Sequence, residues 1–307
     1  MSYLEVMEGL FFIQRGYLNG NHFALRSEEP VLIDTGYSSH FSVTESLLEN
    51  LGIDVSRTRL IINTHCHCDH IGGNRLIQER SQCAVAMHEI GKHFIDTRND
   101  WATWWKYFDQ EGDFFECSVG LHDGDTLSIG PHEFTVIHTP GHACEGIVLY
   151  NKSSKVLISS DTLWEHDMAV MNVRVEGSAA CFTMLESLRR IETLDVEMVY
   201  PGHGKPFADM GRAIADTKKR LQSFIGDGKR IGNDLLKKII VYTLMMREEV
   251  DEAGFFDQLV ETYWFRETVD LYFDGDYQGK YESTMRGLLG RGIVKKKRDR
   301  LYTIVKP

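Results

Sequence analysis

Short apolar runs separated by polar turns recur through the first two-thirds of the chain. Runs rich in β-branched and aromatic residues and bounded by glycine, asparagine or aspartate are typical of strands, whereas apolar residues at helical spacing predict helices. The predicted strands are 5–13, 22–25, 31–33, 60–62, 84–87, 134–138, 147–150, 155–160 and a run that begins at Val196, and the predicted helices are 42–51, 72–77 and 178–192. This alternation predicts an α/β fold.

The pattern changes after Pro206, where the chain becomes mainly helical. Residues 209–224 form a charged amphipathic helix, and Gly226-Asp227-Gly228 is typical of a linker. The predicted elements beyond it are helices at 235–246, 255–273 and 281–289 and a hairpin of strands at 293–296 and 301–305. We therefore expect a larger domain over residues 1–226 and a small, mainly helical domain over residues 227–307. Three helices and a hairpin resemble a winged-helix domain.

Residues 98–117 interrupt the alternation with a dense group of aromatic side chains. One interpretation is a helix whose apolar face, formed by residues 101, 104, 105 and 108, packs on the body of the domain. The other is a lid that shapes a substrate pocket. The pattern favours the packed helix, although a lid could satisfy both interpretations.

The composition narrows the class of protein. The chain has 307 residues, is 42% hydrophobic and carries a net charge of −11, which argues against non-specific binding of nucleic acid by the protein as a whole. It contains no apolar run long enough for a membrane span and no leader-like segment at Met1, so we expect a cytoplasmic protein without membrane contacts. The six cysteines fit a reducing compartment better than a disulfide framework.

The six residues 65–70 contain three histidines and an aspartate, shortly after the predicted strand 60–62. They are His65, His67, Asp69 and His70. Neutral imidazole is the commonest metal ligand in proteins, and a nearby carboxylate suits a divalent cation such as Zn²⁺. A histidine-rich surface loop would not explain this order after a strand, so the motif predicts a metal site. Cys66 and Cys68 lie between the ligands, and we expect both thiols to point away from the metal.

Three further candidates follow apolar runs later in the chain: His142 in Pro140-Gly141-His142, Asp161 after 155–160, and His203 in Gly202-His203-Gly204. Functional groups of α/β proteins often lie at such strand ends. With the first four residues they make a set of five histidines and two aspartates. Seven ligands are too many for one tetrahedral ion and suit two.

The HxHxDH motif, the distal histidine, the later aspartate and the final GHG resemble the metallo-β-lactamase superfamily of metallohydrolases over about two-thirds of the chain. The resemblance implies an αββα sandwich of two mixed sheets. It also implies that His65, His67 and His142 hold one metal, that Asp69, His70 and His203 hold a second, and that Asp161 bridges them. The two ions would be Zn²⁺, although Fe and Mn also accept this donor set.

The resemblance further implies a hydrolase that uses a metal-bridging hydroxide, with Asp69 as the catalytic residue that orients it and carries its proton. Within the superfamily, hydroxyacylglutathione hydrolases share all seven ligands, whereas endoribonuclease-like members have a C-terminal domain similar to that predicted here. The set of seven disfavours a non-enzymatic metal-binding regulator. Trp164 and His166 lie where pocket side chains usually occur, and packing of the loop is the alternative.

Two substrate classes remain open. The first is a small-molecule ester, thioester or lactone. The second is RNA or another phosphodiester, bound through the basic hairpin, because residues 290–307 contain seven basic residues against Asp299. The acidic remainder of the chain favours the small molecule. A homodimer is compatible with either.

Overall fold

Two mixed β-sheets form the centre of the structure, a computed structural model that describes residues 2–307. The seven strands of the first sheet, in order across it, are β1 (Ser2–Met7), β2 (Leu10–Gln14), β3 (His22–Leu25), β4 (Val31–Ile33), β5 (Leu60–Ile62), β6 (Ala84–His88) and β7 (Val119–Leu121). The five strands of the second sheet are β8 (Thr126–Ile129), β9 (His132–His138), β10 (Ile147–Asn151), β11 (Val156–Ser160) and β12 (Met198–Pro201), with β8 and β12 at its edges.

Apolar side chains from both sheets fill the space between them. Phe12 and Phe23 of the first sheet contact Tyr200 of the second at ring-centroid distances of 5.3 and 5.8 Å. The helices that cover the outer faces are α1 (Phe41–Asn50), α2 (Cys68–Ile71), α3 (Asn74–Ser81) and α4 (Glu89–Asp96) on the first sheet and α5 (Ala180–Ile191) and α6 (Met210–Gly226) on the second. The layers are helix, sheet, sheet and helix, which confirms the predicted αββα sandwich.

Parallel pairing brings the candidate ligands together. β4 and β5 are parallel, with Ile33 opposite Ile62, so Asp34 and the metal motif both begin at the same edge of the first sheet. β11 and β12 are also parallel, with Ser160 opposite Pro201, so Asp161 and His203 leave the second sheet side by side. Carboxyl ends of adjacent parallel strands meet at one edge, which is where α/β proteins place functional groups.

The C-terminal region is mainly helical, as predicted. Its elements are α7 (Gly228–Arg247), β13 (Glu249–Asp251), α8 (Glu252–Glu261), α9 (Tyr263–Phe273), α10 (Tyr277–Gly290), β14 (Val294–Lys297) and β15 (Arg300–Thr303). The three strands form an antiparallel sheet with β15 in the middle. Asp227 separates α6 from α7 and caps α7 by accepting a hydrogen bond from the Lys229 amide. The winged-helix assignment and the boundary after residue 226 stay predictions.

Two sequence-based predictions of single elements were wrong. Residues 255–273 form two helices, because Thr262 adopts an extended backbone conformation and its hydroxyl donates to the Leu259 carbonyl. Residues 5–13 form parts of two antiparallel strands, because the chain reverses at Gly9, whose φ is +71°. No helix within residues 2–307 is long and apolar enough to cross a membrane.

The aromatic segment 98–117 consists of turns up to residue 109 and of irregular backbone after it, so the predicted helix at residues 101–108 was wrong. Arg98, Trp104 and Asp109 have positive φ angles, which interrupt a right-handed helix. The side chains are nevertheless buried. Trp105 joins the core on the outer side of the first sheet, whereas Trp104, Tyr107 and Phe108 pack with the C-terminal helices.

Candidate metal centre and active site

The motif after β5 folds into a short loop followed by α2, and all four of its candidate ligands are buried. His65 and His67 lie on the loop, and Asp69 and His70 lie in the first turn of α2. The loop is held on the second sheet, because the Ile147 amide donates to the Thr64 carbonyl at 2.9 Å. The ligands of the first sheet therefore face those of the second.

The seven candidates form one cluster, and within it the predicted triads are present. The donor atoms of His65, His67 and His142 all lie within 4.8 Å of one another, as do those of Asp69, His70 and His203. Each triad combines residues from both halves of the sandwich. This is the spacing at which three side chains can share one cation.

Asp161 lies between the two triads. Its Oδ2 atom is 3.5 Å from His142 Nε2 and 3.8 Å from His203 Nε2, and its Oδ1 atom is 3.6 Å from His70 Nε2. An added Cβ at Gly202 would lie 2.0 Å from Asp161 Oδ1, so the glycine of the final motif is required for this approach. The carboxylate is therefore in a position to reach both triads.

Hydrogen bonds from other groups fix the orientation of the imidazoles. His70 Nδ1 lies 2.8 Å from Asp34 Oδ2, His142 Nδ1 lies 2.7 Å from the Val170 carbonyl, and His203 Nδ1 lies 3.0 Å from the Gly16 carbonyl. A carbonyl oxygen can only accept, so Nδ1 of His142 and of His203 donates. Such contacts on the outer nitrogen are typical of metal-ligating histidines, which ligate through the other nitrogen.

The inner nitrogens fit a metal. The Nε2 atoms of His65, His67, His70 and His142 are buried, and none has a hydrogen-bond partner among residues 2–307. Buried polar atoms are almost always paired, so four unpaired nitrogens in one cluster need a partner that the protein does not supply. A divalent cation accepts imidazole nitrogen and carboxylate oxygen, and it would satisfy these atoms.

The electrostatics of the cluster also favour positive charge. Burial, followed by the neighbouring imidazoles, lowers the pKa of His65 and His67 well below the usual value, so both are neutral and able to ligate. Burial would lower the pKa of His70 too, but Asp69, Asp34 and Asp161 outweigh it and raise that pKa well above the usual value. The three aspartates therefore favour positive charge at His70.

A cavity of about 770 Å³ opens above the cluster. Its buried end is lined by His67, Asp69, His142, Asp161 and His203, and its walls come from the loop after Asp161 and from α7. The predicted pocket residues Trp164 and His166 both line it. The Trp164 ring is 5.0 Å from that of His203, and its indole nitrogen donates to Asp161 Oδ1 at 3.3 Å, whereas the His166 side chain is largely exposed.

Residues 16–203 match the sequence family described as the Metallo-beta-lactamase superfamily. The chain belongs to this superfamily. The matched region contains all seven candidate ligands.

Relatives of the chain include two kinds of named hydrolase, and the chain is itself a hydrolase of the superfamily. The acyl-coenzyme A thioesterase MBLAC2 of Bos taurus is 27% identical over 228 residues, which cover 65% of this chain and 80% of that protein. The hydroxyacylglutathione hydrolase of Rhodospirillum rubrum is 29% identical over 156 residues, covering 50% of each chain. A metallo-beta-lactamase family protein from Thermus thermophilus has the same fold, with a TM-score of 0.62 and 20% identity over 97% of this chain and 100% of that one.

The thiols inside the superfamily motif point away from the cluster, as predicted. Cys66 Sγ lies against the sulfur of Met87, and Cys68 Sγ lies near Gln110 and Tyr242. Burial raises the pKa of both thiols well above the usual value, so neither is a thiolate near neutral pH.

Sequence reasoning missed two carboxylates behind the first triad, Glu145 and Glu176, and it named Trp104 only as part of the aromatic segment 98–117. Trp104 lies over His67 with ring centroids 3.9 Å apart, and its indole nitrogen donates to Glu176 Oε1. Glu176 Oε2 accepts from the Cys144 amide, and Glu145 Oε1 accepts from the Cys66 amide at 2.9 Å. Glu145 and Glu176 thus hold the backbone beside three ligands. Neither carboxylate lies in a motif, so the sequence gives no signal for them.

Proposed function

We propose that the chain is a thioester hydrolase that uses two divalent cations, Zn²⁺ by preference, held by the two triads and bridged by Asp161. The observation that carries the proposal is the cluster of unpaired Nε2 atoms at the buried end of a substrate-sized cavity. The related protein of Bos taurus is named an acyl-coenzyme A thioesterase, which supports the thioester over the ester and the lactone.

The bound cations would supply a Lewis acid for the thioester carbonyl and lower the pKa of water toward neutrality. The chain supplies the rest. Asp69 reaches into the same cavity with Oδ2 3.0 Å from His203 Nε2, so it can orient the attacking water and accept its proton. Trp104 and Trp164 cover the cluster from two sides and limit the entry of bulk water. Apolar side chains of α7, such as Val241 and Met245, offer a surface for the acyl group.

Several contacts favour a small substrate over RNA. Lys296 and Arg300 of the basic hairpin form ion pairs with Glu252 and Glu249, and among the basic residues of 290–307 only Arg291 lines the cavity. The basic hairpin therefore offers little positive charge to a phosphodiester at the metal cluster. Cleavage of RNA is the alternative function, and a panel of substrates must exclude it.

The proposal is tested by offering the metal-replete enzyme a panel of thioesters, esters, lactones and single-stranded RNA. We expect the thioester to give the highest kcat/KM, and we expect Asp69→Asn to lower kcat by roughly 100-fold or more, the usual size of a general acid–base contribution. Asp216→Asn, a change on the exposed face of α6, serves as the matched control. Efficient RNA cleavage without thioester hydrolysis would overturn the proposal.

A further inference from the structure

The cavity above the metal cluster has a second, cationic end. Five basic residues line it in addition to the metal ligands: Arg220, Arg230, Lys237, Lys238 and Arg291. The ligands are buried, whereas Arg230 and Arg291 are exposed and Lys237 is half-buried. The cations therefore form the outer rim of the cavity. The rim is built almost entirely by the C-terminal helices and lies outside the matched family region.

Two of these cations are neutralised by acids. Arg220 and Lys238 both form ion pairs with Asp167, and Lys238 is also 2.8 Å from Asp234. These four side chains balance one another and contribute no net charge to the rim.

The other three cations are not balanced. Arg230 Nε is 3.5 Å from Asp227, but both side chains are more than half exposed, so the pair is weak. Within the described residues 2–307, neither Lys237 nor Arg291 forms an ion pair, and the Arg291 side chain bonds only to the Gly287 carbonyl through Nε. The Arg291 Nη atoms and the Lys237 ammonium remain available to a ligand.

The position of these charges is unusual for an acidic protein. The chain has a net charge of −11, yet the rim of its cavity collects unpaired positive charge. Cations that share one cleft repel one another unless an anion lies between them, and such a cleft concentrates anionic ligands.

We propose that Arg230, Lys237 and Arg291 bind the phosphate groups of a phosphorylated thioester, of the acyl-coenzyme A type, whose acyl group reaches the metal cluster. This inference rests on the proposed function and adds the chemistry that recognises the carrier of the acyl group. Guanidinium groups present paired N–H donors that match phosphate oxygens, and an ammonium adds a point charge. Ile239, Val241 and Met245 line the same cavity and provide an apolar wall for the uncharged part of the substrate.

The test compares two thioesters with the same acyl group. Butyryl-coenzyme A carries phosphates, and butyryl-N-acetylcysteamine carries none. We expect the wild-type enzyme to have a kcat/KM at least roughly tenfold higher for the coenzyme A thioester, since charge-assisted contacts to phosphate are among the stronger polar contacts. The preference should shrink as salt is added, because the rim is partly exposed.

Single substitutions then identify which cations cause the preference for the coenzyme A thioester. We expect each of three substitutions to raise KM for butyryl-coenzyme A by roughly three- to tenfold with little change in kcat: Lys237→Gln, Arg230→Gln and Arg291→Gln. For butyryl-N-acetylcysteamine, neither KM nor kcat should change. Two exposed residues that do not line the cavity provide matched controls: Lys229→Gln beside Arg230, and Arg286→Gln on α10. Equal kcat/KM for the two thioesters in the wild type, or rim variants that behave like the controls, would overturn the proposal.

A binding measurement keeps this inference separate from the proposed function. Calorimetric titration of the metal-loaded chain with free coenzyme A should give a Kd that the three rim variants raise and the controls do not. If neither thioester is hydrolysed, the proposed function is wrong. The titration still shows whether the three rim cations bind coenzyme A. If the rim variants weaken binding of single-stranded RNA and leave that of coenzyme A unchanged, the rim serves a nucleic acid and the inference is wrong.

Discussion

At the scale of single residues, the chemistry of the cluster depends on side chains that are not ligands. Asp34 accepts from the Thr64 amide at 2.9 Å and from its hydroxyl at 2.8 Å, and it lies 2.8 Å from His70 Nδ1. One carboxylate therefore fixes both the backbone before the motif and the ring of a ligand in the second triad. Asp34 therefore acts both on the loop backbone and on the orientation of the His70 ring.

The first prediction concerns this aspartate. Asp34→Asn should weaken binding at the second triad by roughly 10- to 100-fold, because an amide orients the His70 ring less strongly than a carboxylate does. Calorimetric titration of the metal-free variant with Zn²⁺ would measure the change, with Asp216→Asn as the control. An unchanged affinity at both sites would show that Asp34 serves the loop alone.

The second prediction concerns Glu176 and pH. Burial, and then the nearby Glu145 carboxyl, raise the pKa of Glu176 from 4.5 to about 8. A carboxyl with a raised pKa in the folded state stabilises the fold at low pH and loses that contribution as pH rises through the folded pKa. In chelator-treated protein the free energy of unfolding should therefore fall between about pH 5 and 8, by on the order of 1 kcal/mol per pH unit.

Urea denaturation at several pH values measures this slope. Glu176→Gln keeps an acceptor for the Trp104 indole but cannot ionise, so its slope should be flatter than that of the wild type, whereas the exposed Glu133→Gln should not differ. Parallel pH profiles for Glu176→Gln and the wild type would contradict the assignment.

At the scale of elements, prediction succeeded where local pattern and packing agree. The apolar runs before Asp34, the metal motif, Asp161 and His203 became strands, because each run is buried between the layers of the sandwich. Prediction failed at residues 98–117, where helical spacing of tryptophans did not produce a helix. There the aromatic side chains are distributed among a core of the first sheet, the metal cluster and the C-terminal helices, and contacts so distant in sequence leave no local period.

The third prediction tests how strongly this segment joins its neighbours. Phe108 is 1% exposed and packs with Trp104 and Trp264, so Phe108→Ala should lower the free energy of unfolding by about 3–5 kcal/mol. Phe182→Ala, at a side chain that is 56% exposed on α5, should change it by less than about 0.5 kcal/mol. Denaturant titration compares the two. A small effect at Phe108 would mean that the segment is only loosely attached.

At the scale of the whole molecule, the C-terminal region completes the cavity. Tyr242 of α7 lies near Cys68 in the metal motif, and its hydroxyl donates to the Leu18 carbonyl at 3.3 Å. Met245 of the same helix belongs to a core cluster of the first sheet. The sequence indicated a helical appendage, but it could not indicate that α7 forms a wall of the active-site cavity, because that contact is set by packing between distant segments.

The fourth prediction follows from this packing. A chain that ends at residue 226 would expose Trp104, Tyr107 and Phe108 and open one side of the cavity. Because exposed apolar clusters of this kind destabilise a domain and promote association, we expect the fragment to aggregate or to unfold at a lower temperature than the whole chain. Scanning calorimetry and light scattering would measure both. A fragment as stable and monodisperse as the whole chain would show that residues 1–226 fold independently.

The central claim is that the seven residues hold two cations, and a metal titration tests it most directly. The chain should be stripped of metal with a chelator and titrated with Zn²⁺ in a calorimeter, with His65→Ala and His203→Ala measured beside it. We predict two ions bound per chain in the wild type and loss of a different site in each variant, because these histidines belong to different triads. A wild-type chain that binds one ion or none at saturation would contradict the account.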